Sequence, residues 1–267
     1  MKEITPRLRV FAGPNGSGKS TITSVISQEI LGIYINPDDM EKEIRKEGHL
    51  DLRKYQIEFN KMEILSFFQN SSLLKNSHLL DEMNFLDIEK GRLIFRQTEN
   101  QDYLAAVTAD FIRQQLIKSR KSFSFETVMS HPDKIQQLSQ AKSIGYRTYL
   151  YYVATEDPQI NISRVKLREK MGGHSVPEDK IVNRYYRSLD LLHIAIQNTD
   201  RSYIFDNSSH EHIWIAEITN GKTLEMKANW MPQWFQRALW DKFDVKKLPK
   251  GAGNCNINSA YKSGSSS

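Results

Sequence analysis

The sequence has almost no cysteine. A single one, Cys255, occurs in 267 residues, which excludes an internal disulfide framework and a cysteine-rich metal site. Long apolar runs are missing too. Nothing approaches the roughly 20 consecutive apolar residues of a membrane helix, and residues 1–10 lack the apolar core of a secretory signal. The expectation is a soluble, cytoplasmic protein that does not engage a membrane. Charge of one sign is also scarce: 37 Lys and Arg stand against 32 Asp and Glu, a net charge of +5. That mild excess suits a phosphate-bearing small molecule. With no aromatic-and-basic motif beside it, nucleic acid is not the expected partner.

What is present is ordinary for a globular chain, at 39% hydrophobic and 26% charged residues. The length is ample for a buried core without staples. Short apolar stretches of strand length lie at 8–12, 33–35, 122–126, 146–154 and 202–205. Helical patterns separate them. Ile22, Val25, Ile26 and Ile30 keep helical spacing up to Gly32, and Leu104, Val107, Phe111, Ile112 and Leu116 repeat it. Ser175 and Glu178 read as a capping box opening a long helix through Tyr185, Leu189, Leu192 and Ile196. Strands separated by helices predict an α/β chain with a mostly parallel five-stranded sheet flanked by helices. The core is expected over 1–208, with a helical insertion at 53–95. A C-terminal hairpin and helix are expected at 209–245, the hairpin turning at Asn220-Gly221. A Gly/Ser-rich disordered tail is expected at 246–267.

One motif dominates the chemistry. Gly13-Pro14-Asn15-Gly16-Ser17-Gly18-Lys19-Ser20 fits G-x-x-x-x-G-K-[ST] and sits between an apolar strand and a helical pattern, the context of a nucleoside-triphosphate P-loop. Glycines let backbone N–H groups turn toward phosphate oxygens. Lys19 is expected to reach the β- and γ-phosphates of ATP and Ser20 to hold Mg²⁺, with Thr21 completing the binding segment. The guanine motif of a GTPase has no proper counterpart, its nearest match being Asn60-Lys61-Met62-Glu63, and a transporter signature is absent. These absences favour kinase-like use of the triphosphate.

Acceptor candidates follow the second and third strands. Asn36 is placed to cap a helix with Pro37 at its first position, which puts Asp38 and Asp39 at that helix's start. A carboxylate there can take the proton of an attacking hydroxyl, and Asp38 is the candidate base. Glu126 and Thr127 end the third strand, on the side where open α/β sheets bind ligands. A basic segment with Arg164, Arg168, Gly172-Gly173, His174, Arg184 and Arg187 reads as a lid. Its arginines, Arg164 and Arg184 first, would neutralise a transferring phosphoryl group. The Asp206-Asn207-Ser208 loop is a weaker candidate for the adenine base. Two alternatives stay open: an ATPase switch acting through a protein partner at the apolar 59–68 stretch, and a nucleic-acid end kinase.

The phosphate loop, Asn36-Pro37-Asp38, Phe125-Glu126-Thr127 and the segment from Arg164 through Gly-Gly-His-Ser-Val-Pro177 to Arg184-Tyr185 together resemble the zeta-toxin family of P-loop kinases. The resemblance covers residues 7–208. It implies phosphotransfer from ATP with Mg²⁺ to a small-molecule hydroxyl, in the best-known members the sugar of UDP-N-acetylglucosamine, and restraint by an antitoxin protein. It also implies the phosphate-loop role for Lys19 and Ser20, the catalytic base at Asp38, acceptor contact at Glu126 and Thr127, and transition-state arginines at Arg164 and at one of Arg168, Arg184 or the place of His174. Asp38, Asp39, Arg168 and His174 are also expected among the substrate contacts, and Arg164 and Arg184 are the preferred catalytic pair. The sequence departs from the family at the 53–95 insertion and at His174, where the toxins carry a second lid arginine.

Overall fold

The computed structural model describes residues 5–96, 100–173, 175–209 and 211–243. His174 and the expected tail at 246–267 lie outside the described residues. The residues cluster in two units. One comprises Met1–Phe11, Ser20–Thr127 and Ser143–Arg147; the other comprises Ala12–Lys19, Val128–Lys142 and Thr148–Ser267. This division does not follow the expected boundary at 208: the phosphate loop and residues 148–208 go with the C-terminal extension.

In chain order the first unit carries β1 (Arg7–Ala12), α1 (Lys19–Val25), α2 (Gln28–Leu31), β2 (Ile33–Ile35), α3 (Pro37–Glu47) and β3 (His49–Asp51). It continues with α4 (Lys61–Gln69), α5 (Ser72–Asn76), β4 (Leu86–Glu89), β5 (Arg92–Phe95), α6 (Gln101–Lys118) and β6 (Phe123–Thr127). Its strands run β1-β6-β2, with β2 parallel to β6. The helix α3 begins as its sequence dictates. Asn36 caps it by accepting the Asp38 N–H at 3.0 Å, Pro37 takes the first position, and Gly48 ends it in the left-handed region. The apolar stripe of α6 is buried at Leu104, Val107, Phe111, Ile112 and Leu116.

The insertion is not purely helical, which corrects the expectation for 53–95. Strands β4 and β5 form an antiparallel hairpin there, and β5 also pairs with β3 in a separate sheet of order β3-β5-β4. The hairpin turns at Lys90-Gly91, both with positive φ, 48° and 80°. Positive φ at both central residues is the type I′ geometry that suits two twisted strands. Most of the apolar 59–68 stretch packs inward, while Met62 stays exposed. Phe59 and Phe67 set their edges against the Phe111 ring at 6.1 and 5.4 Å, and Ile64 and Phe68 are buried. Ile64 and Phe68, fully buried, contribute about 1.5–3 kcal/mol each by leaving water.

The second unit carries α7 (Asp133–Ser143), β7 (Arg147–Ala154), α8 (Pro158–Lys170), α9 (Glu178–Gln197), β8 (Arg201–Asp206), β9 (Ile213–Thr219), β10 (Thr223–Met226) and α10 (Gln233–Ala238). Its strands run β10-β9-β8-β7. Parallel pairing of β7 with β8 gives way to antiparallel pairing through β9 and β10. The five expected strands are present as β1, β2, β6, β7 and β8, but β8 is not the last, because the C-terminal hairpin extends its sheet by two strands. Asn220 and Gly221 turn that hairpin with φ of 52° and 65°.

The expected capping box at Ser175 does not form. Helix α9 starts two residues later than that box requires, after Pro177, with no side-chain cap. Its stripe of Tyr185, Leu189, Leu192 and Ile196 is buried as expected. The C-terminal helix α10 is tied down by polar contacts. Trp234 Nε1 donates to Asp206 Oδ2 at 2.6 Å, with both residues buried, and Gln233 N donates to Glu156 Oε2 at 3.1 Å. Burial raises the Glu156 pKa above the usual carboxylate value. Trp234→Phe keeps an aromatic ring of smaller size and deletes the donor to a buried carboxylate. The expected loss is about 1–3 kcal/mol of stability, read by urea unfolding.

Candidate functional site

The phosphate loop leaves β1 at Ala12 and ends at Lys19, and it lies wholly in the second unit. Gly16 and Gly18 have φ of 74° and 98°, which a side chain rarely adopts. Space excludes one as well: a Cβ would stand 2.6 Å from Asn161 O at Gly16 and 2.1 Å from Asn207 Nδ2 at Gly18. Five of the loop's carbonyls have a partner. Lys19 Nζ donates to Gly13 O at 2.9 Å and Pro14 O at 3.1 Å. Asn161 Nδ2 donates to Asn15 O at 2.6 Å, Asn207 Nδ2 to Ser17 O at 2.7 Å, and His212 Nε2 lies 3.3 Å from Gly18 O. Among the described residues the buried Ser17 hydroxyl has no hydrogen-bond partner.

The lid arginines separate. Arg184 Nη1 on α9 reaches Asn15 Oδ1 in the loop, at 3.5 Å the outer limit of a hydrogen bond. Arg164 on α8 donates instead to Asn207 O at 2.8 Å and Ser209 O at 3.1 Å, bracing the segment after β8. Arg168 is exposed on α8. In the expected adenine loop at 206–208, Asn207 holds the Ser17 carbonyl. Asn161 and His212 were not candidates in the sequence. Asn161 is the fourth residue of α8, and no local pattern marks it.

In the first unit, Ser20 Oγ donates to Glu126 Oε1 at 3.4 Å and Tyr34 OH donates to Glu126 Oε2 at 2.8 Å. Glu126 stands near the carboxyl end of β6, and Tyr34 lies on the neighbouring β2. Burial and the Glu126 carboxylate push the Tyr34 phenol above its ordinary pKa, so it stays a hydrogen-bond donor. A hydroxyl and a carboxylate are hard oxygen donors of the kind Mg²⁺ takes, with phosphate oxygens and waters completing its shell. Among the described residues no group of three or more His, Cys, Asp or Glu would hold a metal on its own. The pair therefore fits a cation brought with phosphates. Asp38 and Asp39 are exposed at the start of α3, and Asp39 pairs with Lys42 at 3.2 Å. Thr127 is half-buried at the end of β6.

A cavity of about 680 Å³ also lies in the first unit, along the outer edge of β2. Tyr34, Asn36, Asp39, Glu43, Lys54 and Tyr55 are among its lining residues, whereas Asp38 and Glu126 are not. The volume is that of a small-molecule pocket. Lys54 belongs to the 53–95 insertion and pairs with Glu43 on α3.

A glycine loop between a strand and a helix, with its lysine folded across it, places the chain in the P-loop class. One solved relative of similar fold is a chain of the native AvrRxo1-ORF1:-ORF2 complex. It is 12% identical with a TM-score of 0.53, over 84% of this chain and 61% of that one, so this chain spans less than two thirds of its length.

The particular likeness is to the zeta toxin family, whose model matches residues 100–218. A chain from the PezAT chromosomal toxin–antitoxin system of Streptococcus pneumoniae is similar as well, at 14% identity and a TM-score of 0.48, covering 92% of this chain and 83% of that one. So is an "uncharacterized protein" of Haemophilus influenzae, 27% identical over 175 residues, 66% of this chain and 89% of that protein. The family match spans Glu126, Thr127, Arg164 and Arg184. The phosphate loop and Asp38 precede it.

Proposed function

We propose that the chain is an ATP-dependent phosphotransferase of zeta-toxin type, moving the γ-phosphate to a hydroxyl of a small molecule. The observation that carries the reading is the phosphate loop itself, glycines crowded against Asn161 and Asn207 with Lys19 across its mouth. In the proposed reaction the acceptor oxygen bonds to the γ-phosphorus and its proton passes to an Asp38 carboxylate oxygen. The bond from that phosphorus to the β–γ bridging oxygen breaks, and ADP leaves with those electrons. Lys19 and Arg184 offset the charge spread over the transferring oxygens, and Arg164 fixes the loop around Asn207. Ser20 and Glu126 would hold Mg²⁺, which supplies further neutralisation of phosphate charge when bound. Asp39 and Thr127 are assigned to the acceptor, with Arg168 and His174 as further lid contacts.

The acceptor class proposed is a nucleotide sugar, and the partner class is an antitoxin-type protein, both in line with the zeta toxin match. A cytoplasmic setting is part of the proposal; among the described residues no helix is long and apolar enough to cross a membrane. The test is incubation with labelled ATP and a panel of nucleotide sugars and nucleosides, followed by mass spectrometry. A product heavier by one phosphoryl group supports the reading. ATP hydrolysis with no phosphorylated product would replace it with an ATPase switch.

Tyr34 provides a graded check. Tyr34→Phe deletes the donor that orients one Glu126 oxygen. The expected fall in transfer rate is about tenfold, the lower end for losing a partner behind a metal ligand. Labelled-phosphate transfer across a magnesium titration reads it, and the deficit should shrink as magnesium rises.

A further inference from the structure

The phosphate loop is shaped from outside by two asparagines that contribute no atom to its glycine–lysine motif. Both are buried, Asn161 completely and Asn207 at 6% exposure. A buried side-chain amide is costly unless its donors and acceptor are satisfied. Here the satisfaction has a direction. The Thr155 hydroxyl donates to Asn161 Oδ1, and the Tyr185 hydroxyl in turn donates to Thr155 O at 2.6 Å. With its oxygen occupied, the Asn161 amide presents Nδ2 to the Asn15 carbonyl at 2.6 Å. Asn207 is anchored at both backbone ends. Its N–H donates to Ala154 O at 2.8 Å, and its carbonyl accepts from Arg164 at 2.8 Å. Its side chain then presents Nδ2 to the Ser17 carbonyl at 2.7 Å.

Peptide planarity turns these grips into a statement about the opposite face. The described peptides are all trans, and in a trans peptide the C=O and the following N–H point to opposite sides. Pinning the Asn15 carbonyl against Asn161 aims the Gly16 N–H away from α8. Pinning the Ser17 carbonyl against Asn207 aims the Gly18 N–H away from the segment after β8. We infer that Asn161 and Asn207 are positioning residues for polyphosphate binding, holding the carbonyls of Asn15 and Ser17 outward so that the Gly16 and Gly18 amides converge on the anion. The inference rests on the proposed nucleotide binding and deepens it. It also accounts for the glycine at 18, where a Cβ would stand 2.1 Å from Asn207 Nδ2; at Gly16 the crowding comes from the Asn161 backbone carbonyl at 2.6 Å.

The experiment measures ATP with magnesium, and separately inorganic tripolyphosphate, by calorimetry on the full chain. Wild type is compared with Asn161→Ala, Asn207→Ala and the near-isosteric Asn207→Asp. Each variant is expected to bind both ligands about tenfold more weakly, the order of one lost hydrogen bond in a preset geometry. Equal loss for the two ligands locates the defect at the phosphates. A merely structural asparagine would lower the melting temperature and leave the affinity of the folded protein unchanged. Wild-type affinity in folded Asn161→Ala and Asn207→Asp overturns the inference, as does a loss confined to ATP. If Asn207→Ala does not fold, the other two variants decide. A wild-type protein that binds neither ligand overturns the nucleotide reading itself, and this inference with it.

Discussion

Lys19→Ala is expected to abolish phosphoryl transfer, with a fall on the order of 10³-fold, the upper range for removing one charged donor aimed at a transition state. Lys19 is 8% exposed, and its ammonium bonds the Gly13 and Pro14 carbonyls at 2.9 and 3.1 Å. It is therefore held at the mouth of the loop by the backbone it serves. A triphosphate tail carries several negative charges, and in a partly desolvated loop no neutral side chain can replace that cation. Lys19→Met, which keeps most of the stem, separates charge from packing. Both variants should lose transfer to a similar extent, while Lys19→Met should retain more of the wild-type melting temperature. Labelled-phosphate transfer and a thermal melt read the two quantities. Transfer by Lys19→Met within a few-fold of wild type, about what the loss of a minor contact would give, would remove the lysine from the mechanism.

Asp38→Ala is the second large effect, and it should differ in kind. Positioned general bases contribute about 10²–10⁴-fold, so transfer should fall by that amount while ATP binds as before. The structure favours a clean result. The α3 cap uses the Asp38 backbone N–H and the Asn36 side chain, not the Asp38 carboxylate, and the carboxylate is exposed. Its removal forfeits a dipole contribution of about 0.3–1 kcal/mol. Calorimetry with ATP and a transfer assay on the same preparation separate binding from chemistry. Full transfer by a folded Asp38→Ala protein would make Asp38 a helix-start residue and nothing more.

The parts of this molecule that could be read in its sequence share a property: their signals are local. The glycine loop, the Asn36-Pro37 start of α3, the stripes of α6 and α9 and the Asn220-Gly221 turn each lie within a few residues. The β4–β5 hairpin had a local signal too, in Lys90-Gly91 with Leu86, Ile88, Leu93 and Phe95 around it. It was masked because each strand has four residues and aromatic helices precede it. At Ser175 the opposite happened: a good local cap pattern lost to Pro177, which sets the chain entering α9. The residues that reasoning from sequence missed act over distance. Tyr34 meets Glu126 across 92 positions and Asn161 meets Asn15 across 146. No periodicity links such pairs; only the strand order and the return of α8 bring them together.

The crowded glycines and the clamped carbonyls also settle when the loop loses its freedom. Ordering a backbone residue costs roughly 1–2 kcal/mol in entropy, and here that ordering is complete once β7, α8 and β8 have folded. A ligand arriving later meets a receptor already annealed, so its association need not carry that loss. Rapid, single-step binding is the expected outcome for a polyphosphate, with amide exchange at Gly16 and Gly18 slowing only when an anion accepts from their N–H groups.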